Sequence, residues 1–238
     1  MYDFKCFPDR RKTESVKWKV YGNDVLPMWV ADMDFLSPQP VIDALKARVE
    51  HGIFGYPTVS DDLKQVVVER MAERYTWQVT SEDLIFVPGV VSGFNLVCQA
   101  LTGENESVIM QTPVYPPFLC VPANGGFEGI TVDLVQDRGS QYKIDFKAFE
   151  DAIQPNTRVF LLCNPHNPVG RVFRRDELEQ LAEICLRHHL IICSDEIHSD
   201  LIYGGYRHTP MASLEDEIGQ NTVTLVAPSK TFNIAGLE

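Results

Sequence analysis

The chain has 238 residues, of which 45% are hydrophobic, and a formal net charge of −12. This length is typical of one or two globular domains. The acidic balance disfavours non-specific binding to nucleic acid or to anionic membranes. The sequence has no apolar run near the ~20 residues that a membrane helix needs, and no apolar N-terminal segment of the signal-peptide type. We therefore expect a globular protein that binds neither nucleic acid nor membrane.

After a polar N-terminal arm, the chain alternates between predicted helices and strands. Ser37-Pro38 begins the first helix, because proline is compatible with a first helical turn. Its apolar face consists of Val41, Ile42, Leu45 and Val49. Further helices are predicted at about 61–75, from Pro88-Gly89 through Leu101, and at about 116–121, 145–154 and 176–189. Strands are predicted at 84–87, 107–111, 129–135, 158–163, 190–194 and 222–226.

The helix at 176–189 has the clearest pattern, since apolar residues recur at i, i+3, i+4, i+7 and i+8 from Leu178. Continuous apolar strands separated by helices are typical of a parallel sheet that is covered on both faces. The predicted fold class is therefore α/β, a three-layer sandwich around a largely parallel mixed sheet. In such sheets, ligands bind outside the carboxyl ends of the strands.

The six cysteines, at positions 6, 98, 120, 163, 185 and 193, form no CxxC pair. Most of them lie inside apolar stretches. This pattern favours buried free thiols over disulfides or a metal site, and it predicts a reducing, cytoplasmic location.

Three polar residues follow predicted strands: Asn167, Asp195 and Lys230. Each has an ordinary explanation when taken alone. Asp195 could belong to a nucleotide-binding strand, although the chain has no GxxxxGK[ST] loop, or to a plain turn at a strand end. Asn167 has the chemistry of a turn residue, and Lys230 could be a solvated loop lysine. Together, the three residues supply an amide, a carboxylate and an amine, which are the groups needed to hold a pyridine aldehyde.

Three segments carry a family resemblance: Asn164–Gly170, Ser194–His198 and Ser229–Asn233. They resemble the fold-type I pyridoxal-phosphate enzymes, the aspartate aminotransferase superfamily with its class I/II aminotransferases. The segment Pro27–Phe35 resembles that of the cystathionine β-lyase, or C–S lyase, branch. The resemblance covers essentially the whole chain.

The resemblance implies pyridoxal 5′-phosphate as the cofactor and assigns a role to each matching residue. Lys230 would hold the cofactor covalently and act as the catalytic base, while Asp195 would keep the pyridine nitrogen protonated. Asn167 would bind the phenolic oxygen and Tyr115 would stack on the ring. A core tyrosine at a helix start is the other interpretation of Tyr115. The remaining implied contacts are Val90, Val91 and Ser229 at the phosphate, His198 near the phenolic oxygen, and Tyr56 from a second subunit of a homodimer, although Tyr56 could also be a plain turn residue.

The chain departs from the family pattern at three places. His198 stands where many aminotransferases have a tyrosine, which fits the lyase branch. Ala227 replaces a serine that binds phosphate in many relatives. The chain also ends at Glu238, where relatives continue into a C-terminal small domain that supplies the arginine for the substrate carboxylate. The predicted organisation is thus an N-terminal arm and substrate-pocket segment at 1–36 and an incomplete cofactor-binding large domain at 37–238.

The predicted function is a C–S β-lyase, which would convert a cysteine thioether to a thiol, pyruvate and ammonia. Two alternatives stay open on the sequence. An aminotransferase of the same superfamily would use the same residues, and a non-catalytic fragment could bind the cofactor without turnover. Because of the missing domain, the sequence favours weak cofactor binding and negligible turnover for this chain on its own.

Overall fold

The computed structural model describes residues 4–5, 7–137 and 141–237. The helices are α1 (Val16–Lys19), α2 (Gln39–His51), α3 (Asp61–Tyr75), α4 (Val90–Leu101), α5 (Pro116–Gly125), α6 (Phe146–Ala152), α7 (Arg175–Arg187), α8 (Asp216–Gln220) and α9 (Pro228–Thr231). The strands are β1 (Ser107–Thr112), β2 (Glu128–Asp133), β3 (Val135–Gln136), β4 (Tyr142–Lys143), β5 (Thr157–Cys163), β6 (Ile191–Asp195) and β7 (Thr222–Leu225). Short 3-10 turns lie at Ser81–Asp83, Met211–Ser213 and Ala235–Leu237.

The chain divides into two compact units. One unit contains residues 1–58 and 228–238, and the other contains residues 59–227. The division predicted at residue 36 stays a prediction. Among the described residues, no helix combines the length and the apolar character that crossing a membrane requires.

The unit of residues 59–227 is built on a five-stranded sheet in the order β2-β1-β5-β6-β7. Every pair of neighbouring strands in it is parallel. Antiparallel pairing is found in the separate hairpin of β3 and β4. The predicted α/β class is confirmed, and the strands predicted from 107 onward are found with ends shifted by a residue or two.

The sheet has an apolar core on each face. Side chains of β5 alternate between them, because successive residues of a strand point to opposite faces. Phe160 and Leu162 pack in one cluster with residues of α6 and α7. Val159 and Leu161 pack in the other cluster with residues of α4 and α5. This arrangement confirms the three-layer architecture.

The strand predicted at 84–87 is wrong. The residues after the turn at Ser81–Asp83 pair with no strand among the described residues, and Ile85 is 85% exposed. An apolar run becomes a strand when its backbone finds a ladder partner and its side chains find a surface. Here the segment is a connection into α4.

The helix predicted after Ser37-Pro38 is confirmed as α2, which ends at Gly52 in the left-handed conformation with a φ of 71°. None of its residues is buried, and Val49 of its apolar face is 66% exposed. The periodicity therefore predicted the helix correctly, but this chain does not bury its apolar face.

Candidate functional site

The carboxyl ends of β5 and β6 lie side by side. Cys163 is the register partner of Asp195, and the backbone N–H of Asn164 donates to the carbonyl oxygen of Asp195 at 3.0 Å. The loop that follows β5 carries Asn167. Two of the predicted site residues, Asn167 and Asp195, are thus brought to the same edge of the sheet.

The Asp195 carboxylate is buried at the end of β6. Its Oδ1 accepts a hydrogen bond from the backbone N–H of Ile197 at 3.1 Å, which fixes the side chain relative to its own turn. A buried carboxylate at a strand end provides a fixed negative charge for a cationic group of a ligand.

Glu196 anchors the turn that follows Asp195. Its Oε1 accepts hydrogen bonds from the hydroxyl of Ser194 at 2.8 Å and from the backbone N–H of Met211 at 2.9 Å. Its Oε2 lies 2.7 Å from Nε2 of His208. The side chains of Glu196 and His208 are both 1% exposed, so this is a buried network in which every bond shown restrains the turn.

Asp200 anchors the other end of the same turn to α3. Its carboxylate accepts hydrogen bonds from Arg70 and from the hydroxyl of Tyr75, and it pairs with Arg74 at 3.0 Å. The segment from Asp195 to Asp200 is therefore held at both ends. His198 lies between them and is half-buried.

The loop that carries Asn167 is held by buried side chains. The thiol sulfur of Cys163 accepts a hydrogen bond from the backbone N–H of Asn167 at 3.4 Å. Oδ1 of Asn164 accepts from the backbone N–H of Phe173 at 2.9 Å. Nε2 of His166 lies 2.8 Å from the carbonyl oxygen of Pro113, which links this loop to the loop after β1.

Burial fixes the protonation of two of these groups. It lowers the pKa of His166, so the ring is neutral near pH 7 and its Nε2–H donates to Pro113. Burial, together with the charge of Asp195, raises the pKa of Cys163. Cys163 is therefore a thiol, and it acts as a weak hydrogen-bonding group rather than as a nucleophile.

The described cysteines are free. Cys98, Cys163, Cys185 and Cys193 are buried as the sequence predicted, whereas Cys120 is exposed, and Cys6 lies outside the described residues. Burial raises the pKa of Cys98 to about 12, and it also raises the pKa of Cys185 and Cys193. These thiols are core residues. Among the described residues, no cluster of histidine, cysteine and acidic side chains has the makings of a metal site.

Tyr115 follows the carboxyl end of β1, at the residue before α5 begins. It is 37% exposed, so it is not the core tyrosine that the sequence left open. Because β1 and β5 are parallel neighbours, Tyr115 lies at the same edge of the sheet as Asn167.

The N-terminus of α4 lies close to the end of β7. Gly89 precedes the helix with a φ of 81°, and no side chain caps the first turn. A Cβ on Gly93 would come within 3.0 Å of the Leu225 side chain, so the helix approaches the strand closely. Val90 is buried and Val91 is 42% exposed. Backbone N–H groups at such a helix start form an anion site.

The other predicted site residues belong to the unit of residues 1–58 and 228–238. Lys230 lies in α9, which follows β7 along the chain. The hydroxyl of Ser229 is buried and has no hydrogen-bond partner among the described residues. Tyr56 is fully exposed. A buried hydroxyl without a partner suggests that a group outside the chain completes its bonding.

Sequence reasoning missed the residues that hold the site residues in place. Glu196 gave one signal, since it directly follows Asp195, just after the strand predicted at 190–194. Its partner His208 and the Arg70 partner of Asp200 lie in distant elements, and no local pattern indicated them.

The aminotransferase class I and II family matches residues 23–237. Cystathionine beta-lyase PatB of Bacillus subtilis (strain 168) is 45% identical over 97% of this chain and 61% of its own length. A pyridoxal-phosphate-bound structure from Clostridium difficile 630 is 44% identical with a TM-score of 0.95, over 100% of this chain and 62% of that one. Cystalysin from Treponema denticola, whose structure contains pyridoxal 5′-phosphate, is 37% identical with a TM-score of 0.93, over 100% and 62%.

The chain thus spans about three-fifths of the length of these relatives. The family match includes β1, β2, β5–β7 and α9, and with them Asn167, Asp195 and Lys230. This coverage, together with the parallel sheet, shows that the chain belongs to the class I and II aminotransferase family.

Proposed function

We propose that this chain is part of a pyridoxal 5′-phosphate-dependent C–S β-lyase, and that the enzyme acts on a cysteine thioether of the cystathionine type. The observation that carries the proposal is the 45% identity, over 97% of the chain, to the cystathionine beta-lyase of Bacillus subtilis. The proposed substrate is a small amino acid, and the free buried thiols support a cytoplasmic location.

The residues of the candidate site fit the proposed cofactor. A buried carboxylate at Asp195 suits a protonated pyridine nitrogen. A first helical turn without a side-chain cap in α4 and a buried, unpartnered hydroxyl at Ser229 suit a phosphate group. When bound, the cofactor supplies an electron sink for the carbanion formed at Cα of an amino acid.

We assign the proton and charge work to three residues. Asp195 would accept a hydrogen bond from the pyridine N–H of the cofactor and so favour its protonated form. Nζ of Lys230 would hold the cofactor covalently and would serve as the base for the proton at Cα of the substrate. The side-chain N–H of Asn167 donates to the phenolic oxygen, and His198 lies on the adjoining turn as a second contact for it.

The remaining assignments concern binding and orientation. The backbone N–H groups of Val90 and Val91 and the hydroxyl of Ser229 bind the phosphate, and Tyr115 stacks on the pyridine ring. These assignments are supported by the family match and by the exposure of Tyr115 at the end of β1.

An aminotransferase is the second candidate, because the matching family is described by that activity and would use the same residues. A direct test incubates the full-length protein that contains this chain with pyridoxal phosphate and cystathionine. We expect pyruvate and free thiol in equal amounts from the full-length protein, and negligible amounts of both from this chain alone. An oxo acid that retains the thioether would instead indicate transamination, and cofactor binding by the full-length protein without either product would indicate a non-catalytic binding protein.

We further propose that the protein is a homodimer in which Tyr56 of one subunit reaches the phosphate held by the other. The full exposure of Tyr56 and the unburied apolar face of α2 support this assignment. Oligomerisation is the common way to bury such a face.

Mixing two impaired variants of the full-length protein tests the shared site. Tyr56→Phe removes the phosphate contact, and Lys230→Ala removes the covalent link. If the subunits share their sites, a mixed dimer combines both lesions in one site and leaves the other site intact, so product formation partly returns. Subunit exchange followed by native mass spectrometry provides the control. Proven exchange without any recovery would contradict a shared site.

A further inference from the structure

The segment Asp32–Asp34 of the N-terminal arm is held by basic residues. Arg10 pairs with Asp32 at 2.6 Å and with Asp34 at 2.9 Å. Nζ of Lys17 is buried and donates to Oδ2 of Asp34 and to the carbonyl oxygen of Asp32, both at 2.6 Å. Nε1 of Trp18 adds a third donor to Asp34 at 2.7 Å. The backbone on both sides of Met33 is therefore fixed.

These contacts keep Asp34 ionised. Burial favours the neutral acid, but the hydrogen bonds from Lys17, Trp18 and Arg10 outweigh it and lower the pKa of Asp34. The carboxylates in this part of the Pro27–Phe35 segment therefore serve the arm itself. They organise a local structure rather than point toward a substrate.

Met33 is bound in turn by the segment that carries Lys230. Oδ1 of Asn233 accepts a hydrogen bond from the backbone N–H of Met33 at 2.9 Å. Nδ2 of Asn233 donates to the backbone carbonyl oxygen of Met33 at 3.1 Å. One side-chain amide thus bonds to both backbone groups of a residue that lies 200 positions away in the sequence, and Arg10 donates a further hydrogen bond to the same Met33 carbonyl oxygen at 3.1 Å.

Asn233 also shapes the lysine segment. Its φ of 55° is left-handed, a conformation that asparagine tolerates better than most residues. The backbone N–H of Phe232 donates to the carbonyl oxygen of Pro228, and that of Ile234 donates to Ser229. The turn that holds Lys230 is therefore closed on itself and is bound to the arm through Asn233.

We propose that Asn233 is a positioning residue for Lys230. By bonding to Met33, it attaches the segment that carries Lys230 to the part of the arm, Asp32–Asp34, that the basic residues hold in place. The proposal rests on the proposed function, because it assumes that Lys230 carries the cofactor. Without the Asn233 amide, α9 would keep its local turn but lose these two hydrogen bonds to the arm. The lysine would then sample more orientations, and covalent capture of an aldehyde would slow.

The test compares two matched variants in the intact chain. Asn233→Gly removes the amide but keeps a residue that tolerates positive φ. Asn105→Gly makes the same change at another left-handed asparagine, with a φ of 65°, whose side chain has no proposed role at the site. Each protein is mixed with pyridoxal phosphate, quenched with borohydride over time and mapped by peptide mass spectrometry. Hydrogen exchange of the Met33 amide, followed by NMR, reports the clamp itself.

We expect Asn233→Gly to label Lys230 about tenfold more slowly than the parent, with faster exchange of the Met33 amide. Asn105→Gly should match the parent in both measurements. If Asn233→Gly fails to fold, Asn233→Asp carries the test, because it keeps the acceptor for the Met33 N–H and loses the donor. Asn233→Asp should then label Lys230 more slowly than the parent, without losing the labelling altogether.

Two results would overturn the inference while leaving the proposed function intact. One is labelling of Lys230 at the parent rate in a folded variant whose Met33 amide has lost protection. The other is unchanged protection of the Met33 amide after loss of the Asn233 side chain. A parent chain that takes up the label on other lysines and not on Lys230 would overturn the proposed function itself, and this inference with it.

Discussion

In the full-length protein that contains this chain, replacing Lys230 by alanine is expected to abolish covalent capture of pyridoxal phosphate and to lower lyase turnover by at least about a thousandfold. The size follows from two losses, the covalent link to the cofactor and the base for the Cα proton, where a positioned base alone contributes roughly 10²–10⁴-fold. Borohydride reduction of the parent chain with the cofactor should place the pyridoxyl mass on Lys230. The same treatment of Lys230→Ala should leave no specific label.

Lys147→Ala is a suitable control, because Lys147 is an exposed lysine of α6 that pairs with Asp151 and has no proposed role in the site. It should keep the labelling and the turnover of the parent. A pyridoxyl mass on a different lysine of the parent, or an undiminished label in Lys230→Ala, would contradict the assignment.

The centre of the sheet was predictable because the strands β1, β5 and β6 are largely buried on both faces. Such strands appear in the sequence as continuous apolar runs. The strands β1, β5 and β6 can therefore be predicted from their own residues, without knowing which strands they pair with. The segment at 84–87 shows the limit of this reasoning, since it has the same composition as a strand. Ile85 nevertheless remains exposed, because the described part of the chain provides no neighbouring strand with which this segment pairs.

The candidate site was predictable to the extent that its residues follow strands. Asn167 and Asp195 were found because parallel strands end at one edge of a sheet. Glu196 and Asp200 were missed because their importance comes from partners in other elements, such as His208 and Arg70. The pairing of Asn233 with Met33 is of the same kind. Contacts of this long range depend on the folded chain and leave no periodic signal in the sequence.

Replacing Asp195 by alanine is expected to weaken binding of pyridoxal phosphate and to suppress exchange of the substrate Cα proton. A carboxylate beside a protonated nitrogen typically shifts its pKa by about 1–3 units, and each unit corresponds to about a tenfold change. We therefore expect a loss of about 10- to 1000-fold in affinity for the ring-protonated cofactor. Asp195→Glu keeps the charge and should lose far less than Asp195→Ala.

Two measurements separate this role from a purely structural one. Absorbance titration gives the dissociation constant of the cofactor, and NMR in heavy water follows exchange at Cα of the amino acid. Asp195 also accepts the Ile197 N–H, so Asp195→Ala could loosen the turn without any effect on ring charge. Asp195→Asn addresses this point, because its side-chain oxygen can still accept that bond while the negative charge is gone. If the negative charge of Asp195 is what the cofactor requires, Asp195→Asn should resemble Asp195→Ala and not Asp195→Glu. As a control, Asp176→Ala removes an exposed carboxylate of α7 and should behave like the parent. Full proton exchange in a folded Asp195→Asn chain would show that the carboxylate serves the turn and that the ring nitrogen does not depend on it.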